Sequence, residues 1–223
     1  MTNGAPAPPA PALRRLDTPS AVALADLAGT FEDLQTVLRC CETLVERLAA
    51  RAGAPPEDAA SPATGSPAAG SSPTDDTDVV VEAVWTSALL SYARCFTAAE
   101  GGQPLTEDDL TAVQPDGDVV GWHQVLLQLR DHYADPALNP RERFSVGVAR
   151  GDDGTVTGIA ITSARQPLVD DLTVRQTGAI AYALSGLVND RIAAQQELVS
   201  QELRDTPASA LDELPPIEVE IES

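Results

Sequence analysis

A chain of 223 residues with 43% hydrophobic content carries enough apolar mass for a real core, as one domain with extensions or as two small ones. Its formal net charge of −20 repels phosphate and disfavours unaided nucleic-acid binding, with a local group of Arg130, Arg141, Arg143 and Arg150 as the counterweight. No run reaches the roughly 18 apolar residues of a membrane span, and the first residues lack the charged-then-apolar order of a secretion signal, so a cytoplasmic protein with no membrane contact is expected.

Residues 1–16 are rich in Ala and Pro and are expected to be disordered. Within 17–53, Leu24, Leu27, Phe31, Leu34, Leu38, Cys41, Val45 and Leu48 follow the 3,4 spacing of a heptad seam, as in a coiled coil. Thr18 can cap this helix, Pro19 suits its first position, and Gly53 follows its end near Ala52. A narrow apolar stripe has to be buried against another helix, so these eight residues are the expected self-association surface, facing a second copy or the rest of the chain. Val37 and Leu44 widen the stripe towards a bundle face. Residues 54–78 read as a Pro/Ser/Ala linker that tethers the helix without fixing it.

The domain proper is expected over 79–204. A helix at about 79–98 places Val81, Trp85, Leu89, Tyr92 and Phe96 on one face, and another at about 118–134 carries Val119, Trp122, Leu126, Leu129 and Tyr133 until Pro136 and Pro140 stop it. Residues 143–163 alternate as a β-hairpin around Gly151-Asp152-Asp153-Gly154, and the phase break at Gly158 predicts a bulge or a close backbone approach. Two strands alone are marginal in water, so the hairpin is expected to lie on helices or to gain a strand. A long helix from Asp170 or Asp171 to about Arg204 follows, with Gly178, Ala179, Ala183 and Gly186 leaving part of it smooth enough for another helix to come close. Residues 205–223 form an acidic tail in which Ile217, Val219 and Ile221 alternate with Glu, the pattern of a strand that could add to a sheet edge or bind a partner.

Chemistry is sparsely signalled. The cysteines Cys40, Cys41 and Cys95 lack zinc-site spacing and read as reduced, buried thiols; neither a metal nor a cofactor is implied. His123 and His132 point about half a turn apart on one helix and cannot share a metal by themselves, while His123 and Arg130 share a flank of its apolar stripe. The compact acidic group Glu107, Asp108 and Asp109 reads as a solvated face or a helix start. There is no nucleophile elbow, phosphate loop, HExxH or EF-hand loop.

Trp85 with Ser91-Tyr92-Ala93-Arg94-Cys95-Phe96, then Leu129-Arg130-Asp131-His132 with Asn139-Pro140, then the hairpin and the long helix, resembles a group of uncharacterised bacterial helical proteins related to the HEPN superfamily, over about residues 80–203. The resemblance implies a helical domain that dimerises. In RNA-cleaving relatives it implies an Arg followed four to six residues later by His. Arg130 and Asp131 match, but the two histidine positions fall on Tyr133 and Pro136, and His132 stands at a lysine position. Neither Tyr nor Pro replaces an imidazole as acid or base near neutral pH.

The expected fold is mainly α: a helical bundle with one β-hairpin, an N-terminal heptad helix, and a disordered linker and tail. The expected function is that of a non-catalytic, self-associating adaptor or regulatory protein, linked to defence or stress, forming a homo-oligomer and binding a further, unknown protein. The enzyme alternative is a HEPN-like ribonuclease or nucleotide-modifying enzyme with a displaced histidine, using Arg130, His132 or His123 with Arg94 in support. A nucleic-acid-binding structural protein is the third class, and the order of hairpin and helix is weakly similar to small bacterial nucleoid-associated proteins.

Overall fold

A computed structural model describes residues 13–53, 73–97, 103–113 and 117–217, with the side chains of 73–78 outside the description. It comprises α1 (Pro19–Ala52), α2 (Pro73–Cys95), α3 (Glu107–Val113), α4 (Val119–Ala134), β1 (Glu142–Arg150), β2 (Val156–Arg165), α5 (Asp171–Arg204) and α6 (Ala208–Asp212). The mainly α architecture with one hairpin is as expected. No helix among the described residues is long and apolar enough to cross a membrane.

The long helices end where local chemistry ends them. Thr18 accepts from the Ala21 N–H at 3.2 Å with Pro19 at the first position of α1, and Asp170 accepts from the Thr173 N–H at 2.8 Å to open α5. α2 starts six residues earlier than the linker boundary predicts. Pro73 followed by Asp75 and Asp76 is itself a helix-start signal, masked in the sequence by the Pro/Ser run before it.

α1 packs along α5 and α2, α2 also meets α4, and α3 wedges between α4 and α5. The apolar stripe of α1 is therefore already covered within one chain. Leu34, Val37, Cys41 and Leu44 are buried, and Leu27, Phe31, Leu38, Val45 and Leu48 pack on the same core beside Trp85, Leu89, Tyr92, Leu126, Val174 and Leu184. Of the eight seam residues only Leu24, half-buried, has no place in that core. Burying this stripe against a second copy would first require opening the bundle.

A Cβ at Gly178 would stand 3.4 Å from the Cβ of Cys41, so the smooth part of α5 serves α1 there, whereas Gly186 faces open space. At the far end of the pair, Gln195 Nε2 donates to the Ser20 carbonyl at 2.9 Å and Glu202 accepts from Ser20.

The chain ends are more ordered than expected up to a point. The Arg15 N–H donates to the Pro215 carbonyl at 2.8 Å and the Ile217 N–H to the Leu13 carbonyl at 2.9 Å, a short antiparallel bridge after α6. Residues 13–15 and 213–217 thus belong to the folded part. Val219 and Ile221 lie outside the described residues.

Candidate functional site

β1 and β2 pair antiparallel, with Val146 opposite Ile161 and Val148 opposite Ile159. The register shifts between Ala149 and Arg150, where Ala149 faces Gly158 and Arg150 faces Val156. Thr157 is the extra residue of a β-bulge, which is why Val156, Ile159 and Ile161 share one face despite their broken phase. The bulge predicted at Gly158 is present.

The turn is tightly specified. Gly154 adopts φ +81, the Gly154 N–H donates to the Gly151 carbonyl at 2.8 Å, and the Gly151 N–H donates to the Thr155 carbonyl at 2.9 Å. Asp153 Oδ1 accepts from the Thr155 hydroxyl at 2.7 Å and N–H at 3.0 Å, bonds that hold its carboxyl below the usual range.

At the root, Asn139 Oδ1 accepts from the Arg141 and Glu142 N–H groups at 2.9 and 3.2 Å, and the Gln166 N–H donates to the Arg141 carbonyl at 2.7 Å. Arg141 Nε lies 3.5 Å from the Glu82 carboxylate of α2, whose pKa burial raises while the guanidinium offsets the rise. A cleft of about 300 Å³ lies here, lined by Val79, Glu82, Tyr133, Arg141 and Leu168 among others.

Beyond that root the hairpin lies on no helix. Its residues are exposed on both faces along nearly the whole length, so the expectation that it would rest on the bundle is overturned: it projects as an arm. One face carries Phe144, Val146, Val148, Val156, Ile159 and Ile161 at 56–77% exposure. The other carries Ser145, Gly147, Ala149, Gly158, Ala160 and Thr162 and offers little to grip. Sequence alternation found the strands but not this exposure, because period-2 patterning says which residues share a face and not whether anything covers it.

The residues nominated for catalysis do not converge. His123 is 4% exposed, its Nδ1 sits 2.9 Å from the Tyr92 hydroxyl, and its ring centroid lies 4.2 Å from that of Phe96. Arg94 is held by Asp33 of α1, Nε donating at 3.0 and 3.1 Å, and Arg130 Nε lies 2.8 Å from its neighbour Asp131. His132 is exposed beside Tyr133 near the end of α4, about 200° around the helix from Arg130.

The arginine group does not form one patch either: Arg141 turns to Glu82, Arg150 donates to the Gly154 carbonyl, and Arg143 and Arg150 leave opposite faces of the arm. Cys41 and Cys95 are buried free thiols whose pKa values desolvation pushes up to about 12, far from a reactive thiolate. Among the described residues, no cluster of His, Cys, Asp and Glu could hold a metal ion.

The acidic group at 107–109 is a helix start, as expected, but Asp109 is not solvated. It is 8% exposed, accepts from the Thr106 N–H and hydroxyl at 2.9 and 3.2 Å, and pairs with Arg191 of α5.

Burial depresses the pKa of His123 below 6.5, with the charge of Glu107 opposing the shift. The unfolded chain then takes up the proton first on acidification. The stability tied to this residue is complete above about 6.5 and declines as pH falls below it towards the folded-state value. His123→Phe should cost about 1 kcal/mol at pH 7.5, because the Tyr92 hydroxyl loses its partner. It should also shrink the fall in melting temperature between pH 7.5 and 5. Calorimetry of both chains checks this, and identical pH profiles would refute it.

No protein-family model, no curated protein and no solved structure matches the chain. The resemblance to HEPN relatives therefore rests on its two short motifs alone.

Proposed function

We propose that this chain is a non-catalytic adaptor that works by associating with protein chains, itself included, and that the arm is its adhesive part. The observation that supports the reading is the uncovered apolar face from Phe144 to Ile161. Proteins in water rarely leave a contiguous apolar patch of several hundred Å² bare unless it is a contact site. A relation to the HEPN superfamily would make the bundle a scaffold that has lost its imidazole, consistent with the scatter of Arg130, His132, His123 and Arg94.

General acid–base catalysis contributes roughly 10²–10⁴-fold per positioned group, so a site without it should retain little activity. Purified protein should cleave total RNA no faster than a mock preparation across pH and divalent ions. Cleavage by the native chain that both Arg130→Ala and His132→Ala abolish would overturn the adaptor reading in favour of a nuclease with a displaced histidine.

A further inference from the structure

We infer that the apolar face of the arm stacks on the same face of a second copy of this chain, the two related by a twofold axis. The inference rests on the association reading above and names the partner. Phe144, Val146, Val148, Val156, Ile159 and Ile161, at 56–77% exposure, together bare on the order of 700 Å², close to the ~800 Å² that each partner contributes to a standard-size interface. A twofold interface needs a self-complementary patch. Facing rows of β-branched side chains, built on the Val146–Ile161 and Val148–Ile159 pairs, can interdigitate as two sheets do, about 10 Å apart.

Among the described residues, no other segment covers the face. The bundle meets the arm at its root. Ile217 is tied to Leu13 at the opposite end of α5, a helix of 34 residues and so about 50 Å long.

Charge also favours a second copy over a nucleic acid or a charged peptide. The chain carries −20, yet the charges of the arm, Glu142, Arg143, Arg150, Asp152, Asp153 and Arg165, cancel. The apolar face itself is bounded by the opposed pair Glu142 and Arg165 at the root and by Arg150 near the tip. An arm of nine residues reaches about 30 Å, several times the ~8 Å screening length at physiological salt, so two copies can meet by their neutral faces while the acidic bundles stay apart. The small-residue face offers no second patch of this size, which favours a closed pair over a filament.

Light-scattering mass of the full chain over a hundredfold range of concentration tests this. The native chain should reach twice the 23.3 kDa of one copy. Val146→Glu with Ile161→Glu should run as one copy with an unchanged helical circular-dichroism signal, because these side chains lie outside the bundle core, and Val146→Lys with Ile161→Lys should do the same. Mixing the two charged variants should restore the pair, which an arm that had merely unfolded would not do. A native chain of 23.3 kDa throughout, a glutamate variant that stays paired, or variants that stay apart on mixing would each overturn the inference. The association reading falls separately, if the chain is single and the same host proteins co-purify with the native chain and the glutamate variant.

Discussion

Leu34→Ala should lower the melting temperature by about 10 °C, and by the same amount at low and at high protein concentration. Leu34 is fully buried on α1, in the core that α1 builds with α2 and α5. Truncating such a leucine removes about 2–5 kcal/mol, the larger values arising where neighbours cannot close the cavity. For a chain of this size each kcal/mol is worth about 2–4 °C. Concentration is the informative variable. A seam between two copies would make the loss depend on dilution, because dissociation and unfolding would be linked; a seam inside one chain gives a constant difference. A difference that grew on dilution would show that α1 packs in trans.

Asp109→Ala should cost about 2–4 kcal/mol, from two sources. It removes the acceptor that closes the first turn of α3 on Thr106, worth about 1 kcal/mol for a cap. It also strips Arg191 of the carboxylate it pairs with at the contact between α3 and α5; that guanidinium is part-exposed, so the loss stays below that of a fully buried pair. Asp109→Asn keeps an acceptor for Thr106 and should fall between the native chain and the alanine variant.

Desolvation pushes the carboxyl of Asp109 up, but the bonds from Arg191 and Thr106 outweigh it and leave the pKa below 3.8. The stability from this carboxylate is thus complete above the unfolded value near 3.8 and lost as pH falls through the lower folded one. Denaturant unfolding of the three chains at pH 7 and at pH 3 checks both points. Equal midpoints for aspartate and alanine at pH 7 would refute the assignment.

Neither substitution touches the arm, so both variants should keep the mass of the native chain. Stability and association are carried by different residues.

The residues that cap and stop the helices were legible in the sequence because capping is local. Thr18 with Pro19, Asp170 before α5, and the Gly151–Gly154 turn act within a few residues of themselves, and each element boundary they imply is observed, with α2 the exception. The 3,4 stripe of α1 showed that a helix face must be buried. It could not say by what, since Leu34 and Cys41 meet the same requirement against α5 as against a second copy.

Tertiary structure decided that question, and with it three others. It drew Asp109 out of an acidic run into contact with an arginine 82 residues away. It buried His123 against Tyr92 and Phe96, where the sequence showed only a position on the flank of a stripe. It also left the hairpin without a floor. Alternation fixes which side chains of a strand share a face, but whether that face is covered depends on where the following chain goes, and α5 turns away from the arm to pair with α1.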